Sequence, residues 1–238
     1  MTAPLRDRFG IGSRELVSIV GAGGKSTILF ALGRELAGSS GRVVLTTTTK
    51  MAIDQVTEPI CWSDDPAVVE AALVPGHPVF VAMGRIPGKV TGPSPEAVDR
   101  LFSETTAQYI LVEADGARSM SIKAPADHEP AIPSTSTTVI VVAGIDATGR
   151  PISEVAHRPD LVARITGIGA DDVLTIEGAA SVLLHRNGGL KGIPDAARVV
   201  MAITKVTPDD EQGANQLAAI LERHPRTDMT IKLGTSQL

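Results

Sequence analysis

From residue 16 to residue 233, short runs of aliphatic and β-branched residues alternate with stretches in which apolar positions return every three or four residues. The unbroken apolar runs at 16–20, 42–45, 78–83, 109–112, 138–143, 199–204 and 229–233 read as buried strands. A strand covered on both faces needs apolar side chains at successive positions, not only at alternate ones. Helical spacing follows the first run through Ile28, Leu29, Leu32 and Leu36 and ends near Gly41; it returns at 66–73, 95–102, 177–185 and 209–223. Strands separated by helices predict βαβ units, and so an α/β fold with a mostly parallel sheet flanked by helices. Two stretches rich in Pro and Gly, 84–95 and 123–134, break the pattern; loops of that length are functional or mobile. With no internal repeat and no linker, residues 1–238 read as one domain with elaborated loops.

Composition narrows the partners. A chain of 238 residues with 43% hydrophobic side chains can bury a large core, but only 3% are aromatic, too few for the stacking platforms of a single-strand binder. The net charge of -5 comes with no Lys/Arg cluster, which argues against a duplex partner, because phosphate neutralisation needs a basic face. Nucleic acid is therefore not an expected partner. The lone Cys61 excludes an intramolecular disulfide. Residues 1–18 scatter Arg6, Asp7, Arg8, Arg14 and Glu15 among apolar residues, unlike a signal peptide, and no run reaches the roughly 20 apolar residues of a membrane span. A cytoplasmic protein with no membrane partner is expected.

The chemistry begins after the first strand, at Gly21-Ala22-Gly23-Gly24-Lys25-Ser26-Thr27. A glycine-rich turn into a helix leaves free N–H groups and the positive end of the dipole facing an anion. Lys25 opposes that dipole, and a bound phosphate reverses the sign of its contribution. Ser26 or Thr27 is placed to give a hydroxyl to Mg²⁺, as the hydroxyl after the lysine does in P-loops. The loop is a shortened form: G-x-x-x-x-G-K-[ST] needs Gly where Ile19 stands. A dinucleotide turn fits worse, because Ser26 occupies the third glycine position and the second strand ends in Thr46, not in an acidic residue.

A second strand, 109–112, runs into Glu113-Ala114-Asp115-Gly116. Spacing by two puts both carboxylates on one side, at the sheet edge that also delivers the glycine loop. Lys25, Glu113 and Asp115 are thus the expected catalytic residues, with Asp115 and Ser26 on Mg²⁺ and Glu113 orienting water. Among the four threonines 46–49, Thr47 and Thr48 are candidate phosphate contacts. Lys123 is the candidate second cation for the ligand. Asp127-His128-Glu129 and His157-Arg158 are weaker candidates, since adjacent residues in a Pro-bounded loop rarely converge on one ion.

The order of these motifs carries a resemblance. The loop, Thr46 to Lys50, Val112 to Ala117, Lys123-Ala124-Pro125, His128 to Pro133, Gly144-Ile145-Asp146, His157-Arg158 and Leu190-Lys191-Gly192 resemble the YqeC family of selenium-dependent hydroxylase accessory proteins. The resemblance implies a P-loop NTPase-like protein that binds ATP or GTP and acts in maturation of a molybdenum hydroxylase or its cofactor. One segment departs from it: Thr204-Lys205-Val206-Thr207 lacks the carboxylate that would read guanine, so neither base is favoured. Two alternatives stay open. One is a small-molecule phosphotransferase gripping its acceptor with Lys123, His128 and Arg158; the other is a carrier for a phosphorylated cofactor.

Overall fold

The computed structural model describes residues 3–234. Its strands are β1 (Glu15–Gly21), β2 (Val43–Thr47), β3 (Lys50–Ala52), β4 (Ile60–Cys61), β5 (Val79–Val81), β6 (Gly84–Ile86), β7 (Lys89–Thr91), β8 (Tyr109–Glu113), β9 (Ile122–Lys123), β10 (Thr138–Gly144), β11 (Ala156–His157), β12 (Arg198–Val206) and β13 (Met229–Gly234). The helices are α1 (Leu5–Arg8), α2 (Lys25–Gly38), α3 (Pro66–Ala72), α4 (Pro95–Glu104), α5 (Ile152–Val155), α6 (Pro159–Thr166), α7 (Ile176–Leu184) and α8 (Glu211–Leu221).

Eight strands form one sheet in the order β13-β12-β10-β1-β8-β2-β5-β4, and every neighbouring pair is parallel. Parallel strands are joined by crossovers that lay helices on the sheet faces. This accounts for the unbroken apolar runs: every residue of β8 and β10 is buried. The pleat still sorts side chains. Val17 and Ile19 of β1 pack with Ile28, Leu29 and Leu32 of α2, while Leu16 and Val20 belong to the other core, with Val98 and Leu101 of α4 and Leu217 and Leu221 of α8.

All eight strands end at one edge, and the chain changes direction across the sheet at β1: β2 lies to one side of it and β10 to the other. Such a reversal opens a crevice at the carboxyl ends of the strands. Asp65 and Ser94 cap α3 and α4 through their side chains, with Pro at the first helical turn. The N-cap of α2 is Gly24, which has no side chain to cap with.

The structure departs from the sequence reading in several places, the short α1 and β4 among them. Strand β2 runs two residues past the expected 45 to Thr47, because β-branched threonine suits a strand and Thr46 finds a partner there, donating to Val81 O at 2.8 Å. The stretch 84–95 holds the β6–β7 hairpin, turned at Gly88 (φ +70°), and β7 also pairs antiparallel with β3. Helices α5 and α6 and the parallel pair β9–β11 lie where the sequence pattern predicts no element. No helix among the described residues is long and apolar enough to cross a membrane.

Candidate functional site

The glycine loop is shaped by its neighbour β10. Gly21 and Gly23 adopt left-handed φ values of +96° and +85°, and a Cβ on either would meet backbone: Val142 O at 2.2 Å from Gly21, Gly144 N at 2.5 Å from Gly23. Only glycine allows this approach. Ala22 N–H donates to Val142 O at 2.9 Å, and Thr204 Oγ1 donates to Gly23 O from beneath. The N–H groups of the first turn of α2 have no carbonyl within the helix. They remain donors at the carboxyl edge, where a helix N-terminus favours an anion.

Lys25 is 4% exposed and folds back over the loop. Its Nζ donates to Gly21 O at 2.8 Å and lies 3.2 Å from Asp115 Oδ1 and 3.9 Å from Glu113 Oε1. The two carboxylates at the end of β8 thus face one ammonium. Asp115 Oδ2 accepts from Gly21 N–H at 3.1 Å and pairs with Lys123 at 2.9 Å. Asp115 Oδ1 accepts no hydrogen bond; its approach to Lys25 is a contact of charges. Glu113 Oε2 accepts from Ser26 Oγ at 2.7 Å. Burial pushes the Glu113 carboxyl above the ordinary glutamate range, against the opposing pull of the Lys25 charge and the Ser26 hydroxyl. Thr27 is exposed.

Lys123 sits within this constellation, its ammonium engaged by protein acceptors. Its ammonium donates to Gly116 O at 2.6 Å and Glu129 Oε2 at 2.9 Å, and pairs with Asp115 Oδ2 at 2.9 Å. An ammonium has three donors, and with these partners Lys123 is the counter-ion that holds Asp115 against the loop. The expected threonine contacts are likewise engaged: Thr47 Oγ1 donates to Glu113 O at 2.8 Å and Thr48 Oγ1 to Ala131 O at 2.7 Å. They lock the end of β8 and the 123–134 loop in place.

Asp127, His128 and Glu129 point apart. The first two are exposed and Glu129 is buried; no group of three His, Cys, Asp or Glu among the described residues could hold a metal ion. Glu129 Oε2 also accepts from Arg158 Nη1 at 2.7 Å. Burial would raise its carboxyl, but the hydrogen bonds and charges of Arg158 and Lys123 prevail and hold it at about 2. Beside it, burial first and the Arg158 charge second push His157 down to about 4. Lys25, Asp115, Lys123, Glu129 and Arg158 therefore form a chain of alternating charges. Sequence reasoning named Glu129 and Arg158 separately and missed their pairing, because they lie 29 residues apart with no motif joining them.

A family model described as YqeC protein matches residues 17–160, well over half of the chain. The chain belongs to the YqeC family. A curated relative from Escherichia coli (strain K12), named "Uncharacterized protein YqeC", is 37% identical over 213 residues, covering 88% of this chain and 83% of the relative. The span matched to YqeC takes in the glycine loop, Thr47, Thr48, Glu113, Asp115, Lys123, Glu129 and Arg158.

Proposed function

We propose that this chain is a nucleotide-binding accessory protein, P-loop NTPase-like, which takes ATP or GTP with Mg²⁺. The observation that carries the reading is the convergence of Lys25, Glu113 and Asp115 on a glycine loop that opens a helix at the reversal of the sheet. Phosphate oxygens accept from the first-turn amides of α2, and Lys25 exchanges the Gly21 carbonyl for a charged partner, a stronger hydrogen bond. The partner implied by the family resemblance, a molybdenum hydroxylase or its cofactor, is part of the same proposal.

The donor set fits Mg²⁺, which prefers oxygen ligands and retains waters. Ser26 Oγ and Glu113 Oε2 stand 2.7 Å apart, and the carboxylate of Glu113 is buried with its ion-pair contact, Lys25, at 3.9 Å. Asp115 faces two ammonium groups at 3.2 and 2.9 Å, so Glu113 is the better ligand to accompany Ser26, and Asp115 anchors the loop through Gly21 N–H. When bound, Mg²⁺ supplies charge neutralisation to the phosphate oxygens. Hydrolysis by water to a nucleoside diphosphate and phosphate rests on Lys25 and Glu113, with Asp115 as the residue that positions Lys25 and the loop.

Isothermal titration of the full chain with MgATP and MgGTP tests the reading. At least one of them binds the wild type, and Lys25→Ala weakens that binding more than tenfold. Absence of binding by both nucleotides refutes it.

A further inference from the structure

The turn that follows Asp115-Gly116 is held in an uncommon conformation. Met120 N–H donates to Ala117 O at 3.0 Å, and the two residues between them, Arg118 and Ser119, are both left-handed, with φ of +49° and +61°. Glycine or asparagine normally fills such positions. Arg158 is left-handed as well, at φ +64°, directly before Pro159, where extended backbone is the rule. Five non-glycine residues of the described chain adopt such angles, and three of them are these. Strain of this kind persists where the surroundings impose it, and it concentrates at ligand sites.

The two strained segments lie side by side. Ser121 N–H donates to Val155 O at 3.1 Å, and β9 then pairs with β11 so that Lys123 stands beside His157. Arg118 is exposed, and its guanidinium has no hydrogen-bond acceptor or carboxylate partner among the described residues. Arg158 gives Nη1 to Glu129 Oε2 at 2.7 Å and no other guanidinium N–H to those residues. His157, half-buried between them, makes no side-chain hydrogen bond to any of them. The charges that act on its ring are three cations, Arg158, Lys123 and Arg118, and one carboxylate, Glu129. Burial and this local excess of positive charge keep the imidazole neutral, in a chain whose net charge is -5. An anion seated here would take up the open donors and reverse the field on the ring.

We infer that Arg118, Arg158 and His157 form an anion site of their own, separate from the glycine loop, that takes a doubly charged oxyanion of the phosphate type. The guanidiniums present forked N–H donors to its oxygens, and the imidazole gives one more N–H. Lys123 and Glu129 stand between this site and Asp115, joined to each other at 2.9 Å, so an oxyanion here and a ligand on the loop occupy different places. The site does not depend on what the loop binds.

The test titrates the full chain with inorganic phosphate under mildly alkaline conditions, where phosphate is doubly charged, and follows it by calorimetry. Lys25→Ala, which lacks the cation of the loop, still binds phosphate, and adding Arg118→Met weakens that binding about tenfold or more. Because Arg118 has no protein acceptor, the double variant keeps the melting temperature of Lys25→Ala. A second measurement needs no substitution: NMR follows the His157 imidazole with inorganic sulfate, which stays doubly charged through the acid range. Sulfate raises the midpoint from about 4 by about one pH unit or more, and potassium chloride at the same ionic strength does not. Phosphate binding that Lys25→Ala abolishes, or that Arg118→Met leaves unchanged, overturns the inference. An imidazole unmoved by sulfate, an equal rise in chloride, or the absence of phosphate binding in the millimolar range also overturns it.

Discussion

Replacing Lys123 with Met removes the ammonium at the centre of the charge chain while keeping most of the side-chain volume. The Lys123 side chain is 1% exposed and serves Asp115, Glu129 and the Gly116 carbonyl within 2.9 Å. Breaking a buried ion pair from one side costs about 3–5 kcal/mol, because the remaining charge is left without compensation. Arg158 still holds Glu129 at 2.7 Å and Lys25 still faces Asp115 at 3.2 Å, which places the variant at the low end, about 3 kcal/mol. For a chain of this length that corresponds to a fall in melting temperature of roughly 6–12 °C.

The acid limb adds a second signature. Glu129 is held at about 2 against an ordinary 4.5, so its contribution to stability is complete above 4.5 and is lost as pH falls toward 2. Without Lys123, Glu129 is protonated at higher pH in the folded state, and the acid loss becomes smaller and begins from a lower plateau. Thermal melts followed by circular dichroism across the acid range report both effects. A variant with the melting temperature and acid limb of the wild type refutes the assignment of Lys123 as the counter-ion of the site.

Three further outcomes follow from neighbouring residues. His157 sits at about 4 against an ordinary 6.5; the unfolded chain takes up a proton first, so stability falls as pH drops from 6.5 to 4. His157→Phe flattens that window in urea titrations, and an unaltered slope contradicts the burial argument. Glu113→Gln abolishes the Mg²⁺ dependence of nucleotide binding, and because burial raises the Glu113 carboxyl it also raises the melting temperature of the ligand-free protein under alkaline conditions; a variant that keeps its Mg²⁺ dependence sinks the Ser26–Glu113 assignment. Gly23→Ala must fit a Cβ 2.5 Å from Gly144 N at φ +85°, at a cost of about 1–3 kcal/mol; nucleotide titration then shows at least a tenfold loss, and wild-type affinity would mean the loop is not held as described.

The strands were legible because a parallel sheet covered on both faces demands apolar residues at every position, as β8 and β10 show. The glycine loop was legible for a different reason: Lys25 stands in the first turn of a helix, where an isolated helix disfavours a cation. Its convergence with Glu113 and Asp115 followed from spacing by two and from the common edge of parallel strands. The β6–β7 hairpin was hidden because Pro87 and Gly88 read as loop signals, although Gly88 forms the turn itself. The role of Lys123 could not be read from its neighbours in sequence, since two of its three acceptors, Asp115 and Gly116, come from the turn after β8. Long-range pairs were hidden altogether. Lys205 and Asp146 are 59 residues apart, and Lys205 and Ser121 84 residues apart; the adjacency of β10 and β12 brings Lys205 to Asp146.

The central claim, that the loop at the start of α2 holds phosphate, is tested most directly by amide NMR of the full chain titrated with a non-hydrolysable nucleoside triphosphate and Mg²⁺. The largest shifts are predicted at the N–H groups of Gly23, Gly24, Lys25, Ser26 and Thr27, and they should disappear in Lys25→Ala. A saturating ligand that leaves those amides unmoved, or that shifts instead the apolar groove lined by Ile60, Val68 and Val79 at the β4 edge, would contradict the account.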